Sequence, residues 1–260
     1  MDFNIRANCE QCSQGTFMSA QGFLDNSDTI NLKCPNGHET TAFNAAPRYA
    51  LYFDKGISSF IDENYYEAFG WIYTSLEIFR KEFVKTVLNI NHDIKPSILD
   101  NTYDKVFKSS ERIYGAYSAA FLMIFGKNPE DKTFPYPLPQ EVASHRNKLF
   151  HAGELQEVES IKIDCYKIYS HMRYVYGKFS KSGISHMQMY TSEGYSQWCA
   201  DNHFTDEDVM SRKVTIYNHS LSSFQPNVGI DVDSTDGLPS FEELIEKELS
   251  LRLHKHLFNQ

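Results

Sequence analysis

From Tyr65 to Val87 the apolar residues recur at one spacing: Tyr65, Phe69, Ile72, Leu76, Phe79, Phe83 and Val87 stand three or four apart. Such a stripe predicts one long amphipathic helix, started by Asp62, whose apolar face must be covered by other helices. The chain supplies them. Ser97 to about Phe125 carries Tyr103, Val106, Phe107, Tyr114, Tyr117, Phe121 and Ile124, and Gly126-Lys127-Asn128-Pro129 ends it. Gln156 to about Ser182 carries Val158, Ile161, Cys165, Ile168, Met172, Val175 and Phe179 at the same period. Residues 48–60, anchored by Tyr49, Leu51, Tyr52 and Phe53, read as a lead-in helix or turn. The fold class expected is mainly α.

Between the second and the last of these helices lie a proline-rich loop (Pro129, Pro135, Pro137, Pro139) and a short helix, Glu141 to Gly153. The loop is too rigid for a helix and long for a plain connection, which suits a wall of a site. Val142, Leu149 and Phe150 give the short helix an apolar side, and Gly153 is its expected stop. Arg146, Asn147 and His151 place a cation, an amide and an imidazole on it. Asn147 and His151 share a face, whereas Arg146 sits about 140° around an α-helix from His151. Only the length of the arginine brings its guanidinium beside the ring. A guanidinium can hold phosphate oxygens in a fork while an imidazole moves the proton of an attacking or leaving oxygen. That pairing suits phosphodiester cleavage. Arg212 and His219 fit the same spacing, but across Val214-Thr215-Ile216-Tyr217, which reads as a strand.

The most specific motif lies near the N-terminus. Cys9-Glu10-Gln11-Cys12 and Cys34-Pro35-Asn36-Gly37-His38 form two knuckles. Three thiolates and an imidazole make a closed tetrahedral Zn²⁺ site, and Gly37 allows the tight turn of the second knuckle. Strand-like runs at Thr16–Ser19 and Thr29–Leu32 flank the turn residues Asp25-Asn26-Ser27-Asp28, as in a zinc ribbon. With four protein ligands no position stays open for catalysis, so the metal is structural, standing in for a core that a short segment cannot build. Cys165 and Cys199 stand apart and read as reduced residues in or near the core.

The formal net charge is −9, which disfavours indiscriminate attraction to nucleic acid. A nucleic-acid site would have to be a local basic cleft, or one formed by assembly. No run reaches the apolar length of a membrane span, and Met1-Asp2-Phe3-Asn4-Ile5-Arg6 lacks the apolar core of a signal peptide. A cytoplasmic protein with no membrane partner is expected. After Gly183 the pattern weakens into short helix and strand signals around Trp198, Phe204 and Arg212–Asn218. Asp231 to Gly237 has the acids of a calcium loop, but its glycine falls one place late, so it reads as an acidic turn. Ser240 with Glu243 makes a capping box, and Phe241, Leu244, Ile245, Leu249 and Leu253 form the stripe of a terminal helix.

Arg146-Asn147-x-x-x-His151 near a helix end, after two long amphipathic helices, resembles the motif of the HEPN-domain ribonucleases. The resemblance spans residues 48–182 and implies a four-helix up-and-down bundle with the motif on its third helix. Three segments are then expected: residues 1–46 as zinc ribbon, 47–182 as HEPN-like helical domain, and 183–260 as an irregular C-terminal extension ending in a helix. The implied activity is metal-independent endoribonuclease cleavage of RNA by 2′-hydroxyl attack, in a homodimer whose motifs face each other. Roles in antiviral defence or as a toxin follow from the resemblance alone. In that reading His151 is the general acid or base, Arg146 stabilises the charged transition state, Asn147 orients phosphate or ring, and Glu77 supports the His or Arg. The rival is a non-catalytic zinc-ribbon binding module on a dimerising helical scaffold, with Glu154 pairing Arg146 structurally. A third reading, a HEPN toxin or antitoxin subunit controlled by a regulatory protein partner, a nucleotidyltransferase, is disfavoured by the ribbon, which such small subunits normally lack.

Overall fold

The computed structural model describes residues 3–9, 12, 19–24, 29–44, 47–92, 105–211, 213–217 and 240–258, with single positions 94, 98 and 102. The chain is mainly helical and forms two compact units. One comprises residues 1–47 and 187–220, the other residues 48–186 and 221–260. Residues 187–220 thus group with the first unit and residues 221–260 with the second.

In the first unit, β1 (Phe3–Asn8), β2 (Ser19–Leu24), β3 (Thr29–Lys33) and β4 (Glu39–Asn44) form an antiparallel meander. Strand β5 (Val214–Tyr217) then adds parallel to β4, with Ala42 opposite Thr215. Alternation along β3 buries Ile30 and Leu32 and exposes Asn31 and Lys33, as a half-covered sheet requires. Gly22 is needed on β2, since a Cβ there would lie 2.2 Å from the Asn31 carbonyl oxygen. The Asp25–Asp28 turn lies outside the described residues, as do Arg212, His219 and the Asp231–Gly237 turn.

In the second unit, α1 (Arg48–Ile61) packs on α2 (Tyr65–His92), and α2 on α3 (Ser110–Phe125). The short α4 (Gln140–Asn147) runs directly into a π turn, Lys148–Ala152, and α5 (Val158–Asp201) follows. Helix α6 (Asp206–Met210) belongs to the first unit, and α7 (Phe241–Phe258) returns to the second. Every position of the α2 stripe from Phe69 to Val87 is buried, and each large apolar side chain so buried contributes roughly 1.5–3 kcal/mol. The Ser75 hydroxyl donates to the Tyr49 carbonyl at 2.6 Å and ties α1 to α2.

Three boundaries differ from the sequence reading. Asp62 does not start α2; Asp62-Glu63-Asn64 forms a turn with Glu63 at φ 60°, and the Asn64 carbonyl accepts from Ala68. Helix α3 begins at Ser110 because the Ser109 side chain accepts from the Arg112 N–H. Helix α5 runs through Gly183, since a lone glycine costs a helix only about 1 kcal/mol and no proline follows. The Ser240–Glu243 capping box of α7 is present in both directions, at 2.6 and 3.1 Å.

Candidate functional site

Each unit holds one concentration of chemistry. In the first, Cys9, Cys12, Cys34 and His38 come together with all their ligand atoms within 4.8 Å of one another. The Cys12–Cys34 sulfur separation is 3.8 Å, and the His38 Nδ1 lies 3.2–3.8 Å from the three sulfurs. Tetrahedral zinc–sulfur bonds of about 2.3 Å imply ligand separations of about 3.8 Å, so the cluster fits such a metal. Gly37 takes φ 82° and donates to the Cys34 carbonyl at 2.9 Å, which closes the second knuckle. Desolvation pushes the Cys34 thiol up, but backbone N–H groups of His38 and Asn36 outweigh it and bring it down to about 7. The Asn36 amide also donates to the Cys12 sulfur at 3.4 Å. These contacts favour the thiolates that a metal needs.

In the second unit a cavity of about 850 Å³ opens between α2, the start of α3, the proline-rich loop and α4. Arg146, Asn147 and His151 all line it. Arg146 Nη1 stands 2.7 Å from His151 Nε2 and donates to Asn147 Oδ1 at 3.1 Å. A guanidinium has no acceptor, so Nε2 receives this bond and the ring proton sits on Nδ1. The π turn explains the meeting. Arg146 lies in the last turn of α4, and the wider i→i+5 turn after it carries His151 back towards the same face, where a continuous α-helix would leave the two about 140° apart. Gly153, at φ 68°, closes the turn by donating to the Lys148 carbonyl.

The motif helix is fastened from behind. His145 Nδ1 lies 2.6 Å from Asp164 Oδ2 on α5, and that carboxylate is 1% exposed. Lys167 and Glu141 extend the cluster, each at 3.8–3.9 Å from a partner. Burial pushes the Asp164 carboxyl up, against the pull of His145 and Lys167. On the other side the Arg146 guanidinium lies 5.5 Å over the Tyr73 ring, and Phe150 lies against Gly70. A Cβ on Gly70 would stand 2.9 Å from the Phe150 ring.

Glu77 goes elsewhere. Its carboxylate accepts from the Ser110 hydroxyl at 2.5 Å, so it joins α2 to the first turn of α3 and contacts neither Arg146 nor His151. Ser110 itself lines the cavity, which puts Glu77 one bond behind the rim. Among the described residues no ion pair joins Glu154 to Arg146. Leu138 and Pro139 bring the proline-rich loop to the cavity wall.

Two groups escaped the sequence reading. Asp164 sits between Ile161 and Cys165 on the buried side of α5, where an unpaired acid would be out of place. Arg80 stands between Leu76 and Val84, four residues from each, on the buried stripe of α2. A charge inside an apolar stripe was the signal for both. No helix among the described residues is long and apolar enough to cross a membrane. Compared with known proteins, the chain matches no family model, no curated protein and no solved structure.

Proposed function

We propose that the cavity is the active site of a HEPN-type endoribonuclease, and that the Cys9/Cys12/Cys34/His38 cluster holds a structural Zn²⁺. The reading rests on one observation: Arg146, in the last turn of α4, and His151, in the π turn that follows, meet at 2.7 Å at the wall of a cavity large enough for a nucleotide. Helices α2, α3, α4 and α5 follow in the order that a HEPN bundle requires, with the motif third. Arg80, Lys108, Arg146 and Lys148 outnumber the acids Glu111 and Glu130 on the wall and leave it the local positive charge that an acidic chain needs to hold RNA.

In this mechanism the His151 Nε2 lone pair takes the proton of the ribose 2′-hydroxyl. The 2′ oxygen bonds to the adjacent phosphorus and the P–O5′ bond breaks. Arg146 swings from the ring to the phosphate oxygens and stabilises the charge that develops there. The Asn147 amide orients one phosphate oxygen. A second copy of the chain, facing the first across a two-fold axis, supplies the acid that protonates the leaving 5′ oxygen. Phe150 and Leu155, 51% and 73% exposed, put apolar surface beside the motif for such a homodimer. The products are a 2′,3′-cyclic phosphate and a 5′-hydroxyl. Zinc, when bound, supplies only stability to the sheet. Incubation of RNA with the protein in EDTA, with analysis of the product ends, tests the reading.

A further inference from the structure

Arg80 carries a buried charge that, among the described residues, no carboxylate pairs. The side chain is 5% exposed, yet among the described residues no carboxylate lies within ion-pair distance of it. Its Nε has no hydrogen-bond partner. The guanidinium lies against aromatic faces, 4.9 Å from the Tyr114 ring centre and 5.5 Å from that of Tyr117. Those rings hold a cation in place but do not neutralise it. Glu130, an acid of the same cavity, bonds the Tyr114 hydroxyl instead, and Glu77, three residues before Arg80 on α2, bonds the Ser110 hydroxyl. Burying an uncompensated charge is costly, and a fold keeps one where an outside partner completes the pair.

That partner has to enter through the cavity, because Arg80 lines it. The place has a defined relation to the motif. Tyr73 touches both cations: its hydroxyl is engaged by Arg80 and its ring lies under Arg146. Both guanidiniums therefore lie beside the same tyrosine on the wall of one cavity. We infer that Arg80 is a second anion-binding group, which takes the phosphodiester next to the one held by Arg146 and so makes the cavity a site for consecutive phosphates of an RNA chain rather than for a mononucleotide. The inference deepens the ribonuclease reading and rests on it for the identity of the ligand. The fork of Arg80 holds two oxygens of one phosphate and fixes which linkage reaches His151.

The test uses the full chain and 2′-O-methyl RNA hexamers, which bind but cannot be cleaved by 2′-hydroxyl attack. One linkage at a time is replaced by an uncharged methylphosphonate, and affinity is read by fluorescence anisotropy. The native protein should show two adjacent sensitive linkages, each losing about tenfold in affinity on neutralisation. Arg80→Met should silence one of them and leave the other, while Arg146→Ala silences the other. The free Arg80→Met protein should melt no lower than the native one, since it sheds an unpaired buried charge. Arg80→Gln replaces it if the methionine variant does not fold. Two sensitive linkages surviving in the Arg80 variant, or a lowered melting temperature with an unchanged footprint, would overturn the inference and make Arg80 a structural residue. The hexamers separate the two readings: a two-linkage footprint without cleavage of ordinary RNA removes the nuclease and keeps the subsite. A single sensitive linkage in a protein that cleaves does the reverse.

Discussion

His145 and Asp164 face each other at 2.6 Å, and this hydrogen-bonded contact fastens the motif helix to α5. The imidazole is 15% exposed and the carboxylate 1%, so the two partners differ in what they leave behind when removed. His145→Ala strands a buried carboxylate with only Lys167 near it, at 3.8 Å. Roughly 3 kcal/mol of stability should be lost. Asp164→Asn strands no charge and should cost about 1 kcal/mol. Urea unfolding of both variants checks the asymmetry, and equal losses would mean that a stranded Asp164 carboxylate costs nothing extra.

The pH dependence of stability should come from His171. Burial pushes its imidazole down to about 4, and the ring is held neutral between the Tyr136 carbonyl at 2.8 Å and the Tyr117 hydroxyl at 2.7 Å. In the unfolded chain the same ring titrates at about 6.5. Between these values the unfolded state binds the extra proton. The contribution of His171 is therefore complete above about pH 6.5 and is lost as the pH falls towards 4, by roughly 3 kcal/mol in all. Denaturant midpoints at pH 7 and pH 5 should diverge in the native protein and converge in His171→Gln.

Metal analysis of protein purified without chelator should find about one zinc per chain, the number that a closed four-ligand site takes. Cys34→Ser should lower the melting temperature and solubility, with a smaller effect on RNA cleavage. A chain free of zinc, with an unchanged melting temperature after chelator treatment, would remove the metal from the account.

The proposed homodimer should appear as twice the chain mass in solution at micromolar protein. Leu155→Asp, on the apolar surface beside the motif, should shift the mass to a single chain and cut cleavage with it. Full cleavage by a monomer would leave the second copy without a role.

Much of the helical architecture was legible because each long helix carries an uninterrupted apolar stripe, as α2 does from Phe69 to Val87. The Cys9/Cys12/Cys34/His38 cluster was legible because sulfur and imidazole at knuckle spacing have few other uses. What stayed hidden depends on distance in the chain. Strand β5 pairs with β4 across a separation that no local pattern encodes, so Val214–Tyr217 read as an isolated strand. The continuation of α5 past Gly183 hung on the absence of any strong stop. At the site, Arg146 and His151 were readable as a pair, but the π turn that joins them was not, since Lys148–Ala152 has no composition that distinguishes it from α-helix. Glu77 was assigned by resemblance to the Arg–His pair, and its bond to Ser110 depends on where α3 begins. Asp164 and Arg80 are charged residues within buried stripes, and their partners lie on other elements of the fold.

The most direct test of the central claim is cleavage of RNA in EDTA by the native protein and by His151→Ala, with identification of the product ends. Loss of the proton-transfer group typically costs about 10²–10⁴ in rate, so the variant should be inactive on a gel while keeping its fold. Arg146→Ala should fail to the same degree, and the native products should carry 2′,3′-cyclic phosphate ends. Native-level cleavage by His151→Ala, or 3′-hydroxyl products that vanish with the chelator, would contradict the account.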